Sequence, residues 1–130
     1  MRIFAGVDRL QGGLDYHLAR HNLLVSNLSH VDTPGYKPLD LERVEFGEVM
    51  ANLEATHPDH FGAQPMQAGG VGTKVITDPA AQAGPDGNAV SLDREAVKIA
   101  SNQVRYDVVA QLVAGELAGL GWAANDGRGG

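Results

Sequence analysis

His17 and His21 stand four residues apart in "DYHLARHNLL", a spacing that places two imidazoles on one face of a helix and serves as a ligand pair in zinc sites. The glutamate that a zinc protease carries between them is absent, and no third ligand has a defined place, so the pair is expected on a surface or in a helix seam. His57 and His60, in "THPDH", stand among loop-forming residues. The run "GGVGTK", Gly69 to Lys74, has the glycines of a phosphate loop without its Gly-Lys-Ser/Thr order or a helical pattern after it; a linker is expected. No Ser/His/Asp set or carboxylate pair stands in a segment that would hold catalytic groups rigidly. The residues predict no enzyme activity, no cofactor and no metal, and leave the roles of His17, His21 and His30 open.

The elements around these residues have a simple order. All six prolines fall between Pro34 and Pro85, leaving two proline-free flanks. In the first, Leu10, Leu14, Leu18, Leu24, Val25, Leu28 and Val31 recur at helical spacings, an apolar stripe along a helix of roughly 25 residues at 1.5 Å rise each; Gly12 and Gly13 weaken its first turns. In the second, alternate steps of four and three run from Leu92 through Ala96, Ile99, Gln103, Tyr106, Ala110, Val113, Leu117 and Leu120, which is a coiled-coil seam with one polar member, Gln103. Ser91 is placed to cap this helix, and Asp93 and Glu95 lie in its first turn, where the helix dipole favours negative charge. The helix is expected to end at Gly119 or Gly121.

Between the flanks, Leu41–Leu53 predicts a short helix and Thr73–Thr77 a short strand. The Gly-, Pro- and Ala-rich runs "GAQPMQAGGVG" and "DPAAQAGPDGN" offer little apolar surface against their ordering entropy and predict a mobile middle. The expected fold is mainly α: long N- and C-terminal helices packed as an antiparallel coiled-coil hairpin, with a Gly/Pro-rich irregular middle. Residues 1–31 hold the first helix, 32–90 the turn and acidic middle, and 91–130 the second helix and a frayed tail, the two helices sharing one domain.

The junction "DTPGYK" is the sharpest local signal. Pro34 presets φ for the second position of a turn, and Gly35 supplies positive φ at the third, the signature of a type II turn over Thr33, Pro34, Gly35 and Tyr36. Pro34 also turns Thr33 away from the helical region, so the helix ends by Val31 or Asp32. Tyr36 is expected to pack back on the helix end or on a neighbouring chain.

Composition narrows the class. The chain has 130 residues, 5% of them aromatic, with 17 glycines and no cysteine, which excludes a disulfide framework and thiolate chemistry and argues against a large private core. The net charge is -6, and residues 32–90 carry all of it, with nine acidic against three basic side chains; no basic face exists to meet nucleic acid. The apolar run before Asp8 is too short for a secretory signal, and no run approaches a membrane span. Two helices without disulfides or metal leave apolar surface wet, which points to an interaction module that associates with further copies or partners through Leu14, Leu24, Leu28, Leu92, Ile99, Tyr106, Val113, Leu117 and Leu120.

The helix "ARHNLLVSNLSHVDTPGYK" and the closing segment "DGNAVSLDREAVKIASNQVRY" together resemble the flagellar axial proteins, and among them the FlgB family of basal-body rod proteins, the proximal rod subunits. The residues that carry the resemblance are Asn22, Asn27, Thr33, Pro34, Gly35 and Tyr36 in the first motif, and Leu92-Asp93-Arg94-Glu95 with Asn102, Gln103, Val104, Arg105 and Tyr106 in the second. His30 stands where family members usually carry a second asparagine, His21 often aligns with glutamine, and Gly115 falls where longer side chains are usual. The resemblance implies a structural subunit of the rod that packs its terminal helices against other copies and other rod and basal-body proteins. It further implies a periplasmic location reached through the flagellar type III export apparatus without a cleavable signal, and no direct membrane insertion. The competing expectations are a sister rod subunit and, from another class, a coiled-coil adaptor or secretion chaperone.

Overall fold

The computed structural model describes residues 4–44 and 72–125. The chain forms a long helix α1 (Ala5–Ser29), a strand β1 (Leu39–Val44), a strand β2 (Gly72–Thr77) and a second long helix α2 (Leu92–Ala124). At 25 and 33 residues, the helices are about 37 and 50 Å long by the 1.5 Å rise. β1 and β2 pair antiparallel, with Leu39 opposite Thr77, Leu41 opposite Val75 and Val44 opposite Gly72. α1 packs against both α2 and β1.

The contacts between the helices run in opposite order along the chain. Asn27 near the end of α1 meets Glu95 near the start of α2, and His17 meets Asn102 further along. Nearer the start of α1, a Cβ on Gly13 would lie 3.4 Å from Val109 Cγ1, and one on Gly6 would lie 3.4 Å from Glu116 Oε2. Gly13, which the sequence marks as a weak point of the helix, thus faces Val109 of α2. Any larger side chain there would push against Val109.

Among the described residues the buried apolar side chains are Leu24 of α1, Pro38 before β1, Leu41 of β1 and Ala89 on the approach to α2. Burying Leu24 fully contributes about 1.5–3 kcal/mol, and its position fixes the core at the end of the helix pair where the hairpin lies. Six polar side chains are buried as well among the described residues: His17, Asn27, Asp78, Asn88, Glu95 and Asn102. Few apolar side chains are fully buried, so hydrogen bonds and ion pairs share in specifying how these elements fit.

Several expectations are corrected. Leu41–Val44, expected at the start of a short helix, belong to β1, because Leu41 buries its side chain while its main chain pairs with Val75; residues 45–53 lie outside the described residues. The strand expected at Thr73–Thr77 is observed as β2 with one residue more. α2 continues past Gly119 and Gly121 to Ala124. Ser91 occupies the N-cap position with an extended backbone, but its side chain makes no capping bond. The run from Asp78 to Asn88, expected to lack fixed contacts, is held by the bonds described below.

The seam on α2 is also rotated. Ile99, Tyr106, Val113 and Leu120 are half-buried as expected. At the alternate positions α1 meets Glu95, Asn102, Val109 and Glu116 in place of Ala96, Gln103, Ala110 and Leu117. Leu92 and Leu117 stay 58% and 48% exposed. Apolar periodicity cannot see a seam whose alternate members are polar and satisfied, because burial of a hydrogen-bonded side chain carries no hydropathy signal.

Candidate functional site

The turn after α1 and the approach to α2 form one joint. Tyr36 N–H donates to the Thr33 carbonyl at 3.3 Å and Gly35 has φ +74, the geometry of the type II turn expected from Pro34-Gly35. Past the end of α1 a single distant side chain gathers the carbonyls of the exit turn: Asn88 Nδ2 donates to the His30 and Val31 carbonyls at 2.9 Å and to that of Thr33 at 2.7 Å. Two hydrogens serve three acceptors, so one bond is shared. Gly35 N–H donates to Asp86 O at 3.1 Å and Ala89 N–H to Tyr36 O at 2.9 Å. Asn88 closes its own turn by accepting Val90 N–H at 2.7 Å.

Tyr36 folds back on the end of α1, one of the two positions expected for it. Its ring stacks on His30 with centroids 4.3 Å apart and planes 5° from parallel, and its hydroxyl donates to Asn27 Oδ1 at 3.3 Å. Asn27 has no accessible surface and uses its whole amide. Oδ1 also accepts Leu39 N–H at 2.9 Å, while Nδ2 donates to Leu39 O at 2.7 Å and to Glu95 Oε2 at 2.9 Å. One side chain therefore joins α1, the turn, β1 and α2. Of the first motif, Asn27, Thr33, Pro34, Gly35 and Tyr36 meet at this joint, whereas Asn22 is exposed.

Asn102 plays the matching part at the middle of the helix pair. It is 1% exposed, donates to the His17 carbonyl at 2.7 Å and accepts His17 Nδ1–H through Oδ1 at 2.8 Å. His17 Nδ1 is thereby committed to helix packing, while His21 Nδ1 is buried without a partner among the described residues. Gln103 faces out and bonds Asp107 one turn away at 2.9 Å. Leu24 is buried and Leu14 and Leu28 are half-buried on α1.

An ionic group lies between the hairpin and α2. Arg20 grips Asp40 with two bonds, 2.7 and 2.9 Å, and Lys98 and Arg94 reach Asp78 at 2.6 and 3.0 Å. Burial works to raise both carboxyls, but stronger opposing effects hold them below the ordinary carboxylate range. For Asp40 these are the Arg20 bonds, the Leu41 amide and the charges of Arg20 and Lys98. For Asp78 they are the Lys98 bond, the Ala80 amide and the charges of Lys98 and Arg94. Lys98 is pulled down by burial and raised, on balance, by its bond to Asp78 and the charges of Glu95, Asp78 and Asp40.

Sequence reasoning missed Asn88, Asp40, Asp78 and Lys98, and took Glu95 for a dipole residue alone. The signal for Asn88 was its place after Asp86-Gly87, a turn pair directly before a helix. The joint offers no nucleophile with a base and no open cavity of convergent polar groups; what it does is fix the angle between elements. Outside it, Val97, Val104, Val108, Leu112 and Trp122 on α2, with Leu18 and Val25 on α1, leave large apolar side chains exposed. Among the described residues no helix is long and apolar enough to cross a membrane.

No protein-family model matches the chain. Curated relatives do. The chain is 28% identical to the flagellar basal body rod protein FlgB of Salmonella typhimurium, over 92% of each chain. It is 29% identical to the protein of the same name from Aquifex aeolicus over 90% of each. With that of Cereibacter sphaeroides it shares 33% identity over 78% of its own length and 79% of the relative's. These relatives come from diverse bacteria and match 78% to 92% of the chain, and the chain therefore belongs to the family of flagellar basal body rod proteins FlgB.

Proposed function

We propose that the chain is a structural subunit of the proximal part of the bacterial flagellar rod, assembling by helix packing into the axial structure that transmits motor rotation. The observation that carries this reading is the similarity to FlgB proteins over 92% of the chain, joined to a molecule that leaves nine large apolar side chains exposed on its two helices. Residues 1–31 and 91–130 act as one unit, an antiparallel coiled-coil hairpin, joined by the turn and irregular acidic middle of 32–90; the opposite order of the Asn27–Glu95 and His17–Asn102 pairs supports the antiparallel arrangement of the helices. Leu14, Leu24, Leu28, Ile99, Tyr106, Val113 and Leu120 hold the pair together, while Leu92 and Leu117, exposed in the single chain, face neighbouring subunits. The partners are other copies of the chain and other rod and basal-body proteins. Delivery to the periplasmic rod is by the flagellar type III export apparatus.

Deleting the gene in its own bacterium and supplying it again tests the reading. Basal bodies without a rod and loss of swimming, both reversed by the native chain, are expected. Complete rods and normal swimming in the deletion strain would sink it.

A further inference from the structure

Three carboxylates and three cations from separate elements meet beside α2. Lys98 Nζ lies 2.6 Å from Asp78 Oδ2, 3.4 Å from Glu95 Oε1 and 3.6 Å from Asp40 Oδ2. Arg94 shares Asp78 and donates to the Ala80 carbonyl, and Arg20 of α1 holds Asp40. The group is neutral with Lys98 present and carries one uncompensated negative charge without it, in a place where Glu95 is 1% exposed and Asp78 is 8% exposed. A buried carboxylate that loses its cation must regain water or its partners must part.

The hairpin is not held equally on its two sides. Toward α1 it is fastened by bonds independent of Lys98: Asn27 to both polar groups of Leu39, Tyr16 hydroxyl to the Leu41 carbonyl at 2.8 Å, and the two Arg20–Asp40 bonds. The Arg43 guanidinium, 4.2 Å above the Tyr16 ring, adds to that edge. Toward α2, among the described residues, every side-chain bond to the hairpin and the turn after it comes from Lys98 or Arg94. The α1–α2 contact itself rests on other residues, His17 with Asn102 and Asn27 with Glu95.

From this asymmetry we infer that the β1–β2 hairpin is a strap with a permanent edge on α1 and a releasable edge on α2, and that Lys98 is its clasp. Loss of the Lys98 charge, or of the Asp78 charge it meets, leaves only Arg94 on that edge and loosens β2 and the turn at 78–81 from α2. The helix pair and the α1 edge stay closed. The charged groups that decide the state are Arg20 from α1, Asp40 from β1, Asp78 after β2, and Arg94, Glu95 and Lys98 from α2.

Hydrogen exchange on the full chain at neutral pH tests the clasp, comparing the native protein with Lys98→Met, Lys98→Arg and Asp78→Asn. In Lys98→Met the amides of residues 72–81 should exchange faster by on the order of tenfold or more, the signature of local opening. Amides in the middle of α1 and α2 should keep their native rates, and Lys98→Arg should stay close to native throughout. Asp78→Asn, which cuts the clasp from the hairpin side and leaves Glu95 its lysine, should open the same residues. Unchanged exchange at 72–81 in both charge-removing variants would overturn the inference. So would an equal rise across both helices, since Lys98 would then support the whole fold and not one edge of it.

Discussion

Gly87 and Gly35 touch back to back: both have positive φ, +79 and +74, and a Cβ placed on Gly87 would lie 3.4 Å from Gly35 Cα. The turn that ends α1 and the turn that precedes α2 are therefore one joint, closed by the Gly35–Asp86 main-chain bond and by Asn88 across the end of α1. The Pro-Gly exit from the first helix exists to bring the chain against the entry to the second.

A Cβ at Gly35 meets nothing within 4 Å, so substitutions there test the backbone alone. Gly35→Val should destabilise the chain by about 1–3 kcal/mol, because a β-branched residue is held at positive φ. Gly35→Asn, which tolerates that region better, should cost less. Gly87→Asn should exceed Gly35→Asn, since contact with Gly35 adds to the same backbone cost. Denaturant melts of the three give the order, and equal midpoints for Val and Asn at position 35 would contradict it.

The His17–Asn102 pair should show strong coupling. Asn102→Leu strands the buried His17 Nδ1–H and is expected to cost about 1–3 kcal/mol, the penalty of an unsatisfied buried group. Adding His17→Leu removes the stranded donor, so the double variant should be less destabilised than the two single losses added together. Additive losses would mean the two side chains do not meet.

The ionic group sets a pH window. Asp40 and Asp78 are held below their ordinary value of 3.8, so their contribution is complete above that pH and is lost as pH falls further and they take up protons. Lys98 is held above 10.5, so its contribution is present below that pH and is lost as pH rises through the higher value of the folded chain. Stability measured between pH 2 and 6 should fall less steeply toward acid in Asp78→Asn than in the native chain. Parallel acid limbs for the two proteins would contradict the assignment.

Two aspartates on α2 separate folding from assembly. Leu117→Asp, at an exposed position, should change the stability of the isolated chain by no more than about 0.5 kcal/mol and still prevent incorporation into rods. Tyr106→Asp, at a half-buried position, should lower both. Thermal melts with rod incorporation as the second readout check the pair; normal rods from Leu117→Asp would remove that face from the assembly.

What the sequence disclosed and what it hid divide by range. The exit turn was legible because Pro34 and Gly35 act on their own backbone, and α1 because its leucines repeat within each turn. β2 showed itself as a short β-branched run. The seam of α2 was found at Ile99, Tyr106, Val113 and Leu120 and misplaced between them, because Glu95 and Asn102 are buried through partners on another helix, 68 and 85 residues away. Asn88 is the same case: it works on carbonyls 55–58 residues earlier, and nothing in its local sequence names them. β1 went unrecognised because Leu41–Val44 form a strand only through pairing with β2.

Cryo-electron microscopy of basal bodies purified from the native bacterium and from a strain carrying only a tagged copy of this chain tests the central claim most directly. The account predicts density for the chain in the rod, its two helices antiparallel with Asn27 level with Glu95 and His17 level with Asn102, and Val97, Val104 and Leu117 covered by neighbouring subunits. A rod that lacks the chain, or one in which its helices stand apart and those side chains remain in solvent, would contradict it.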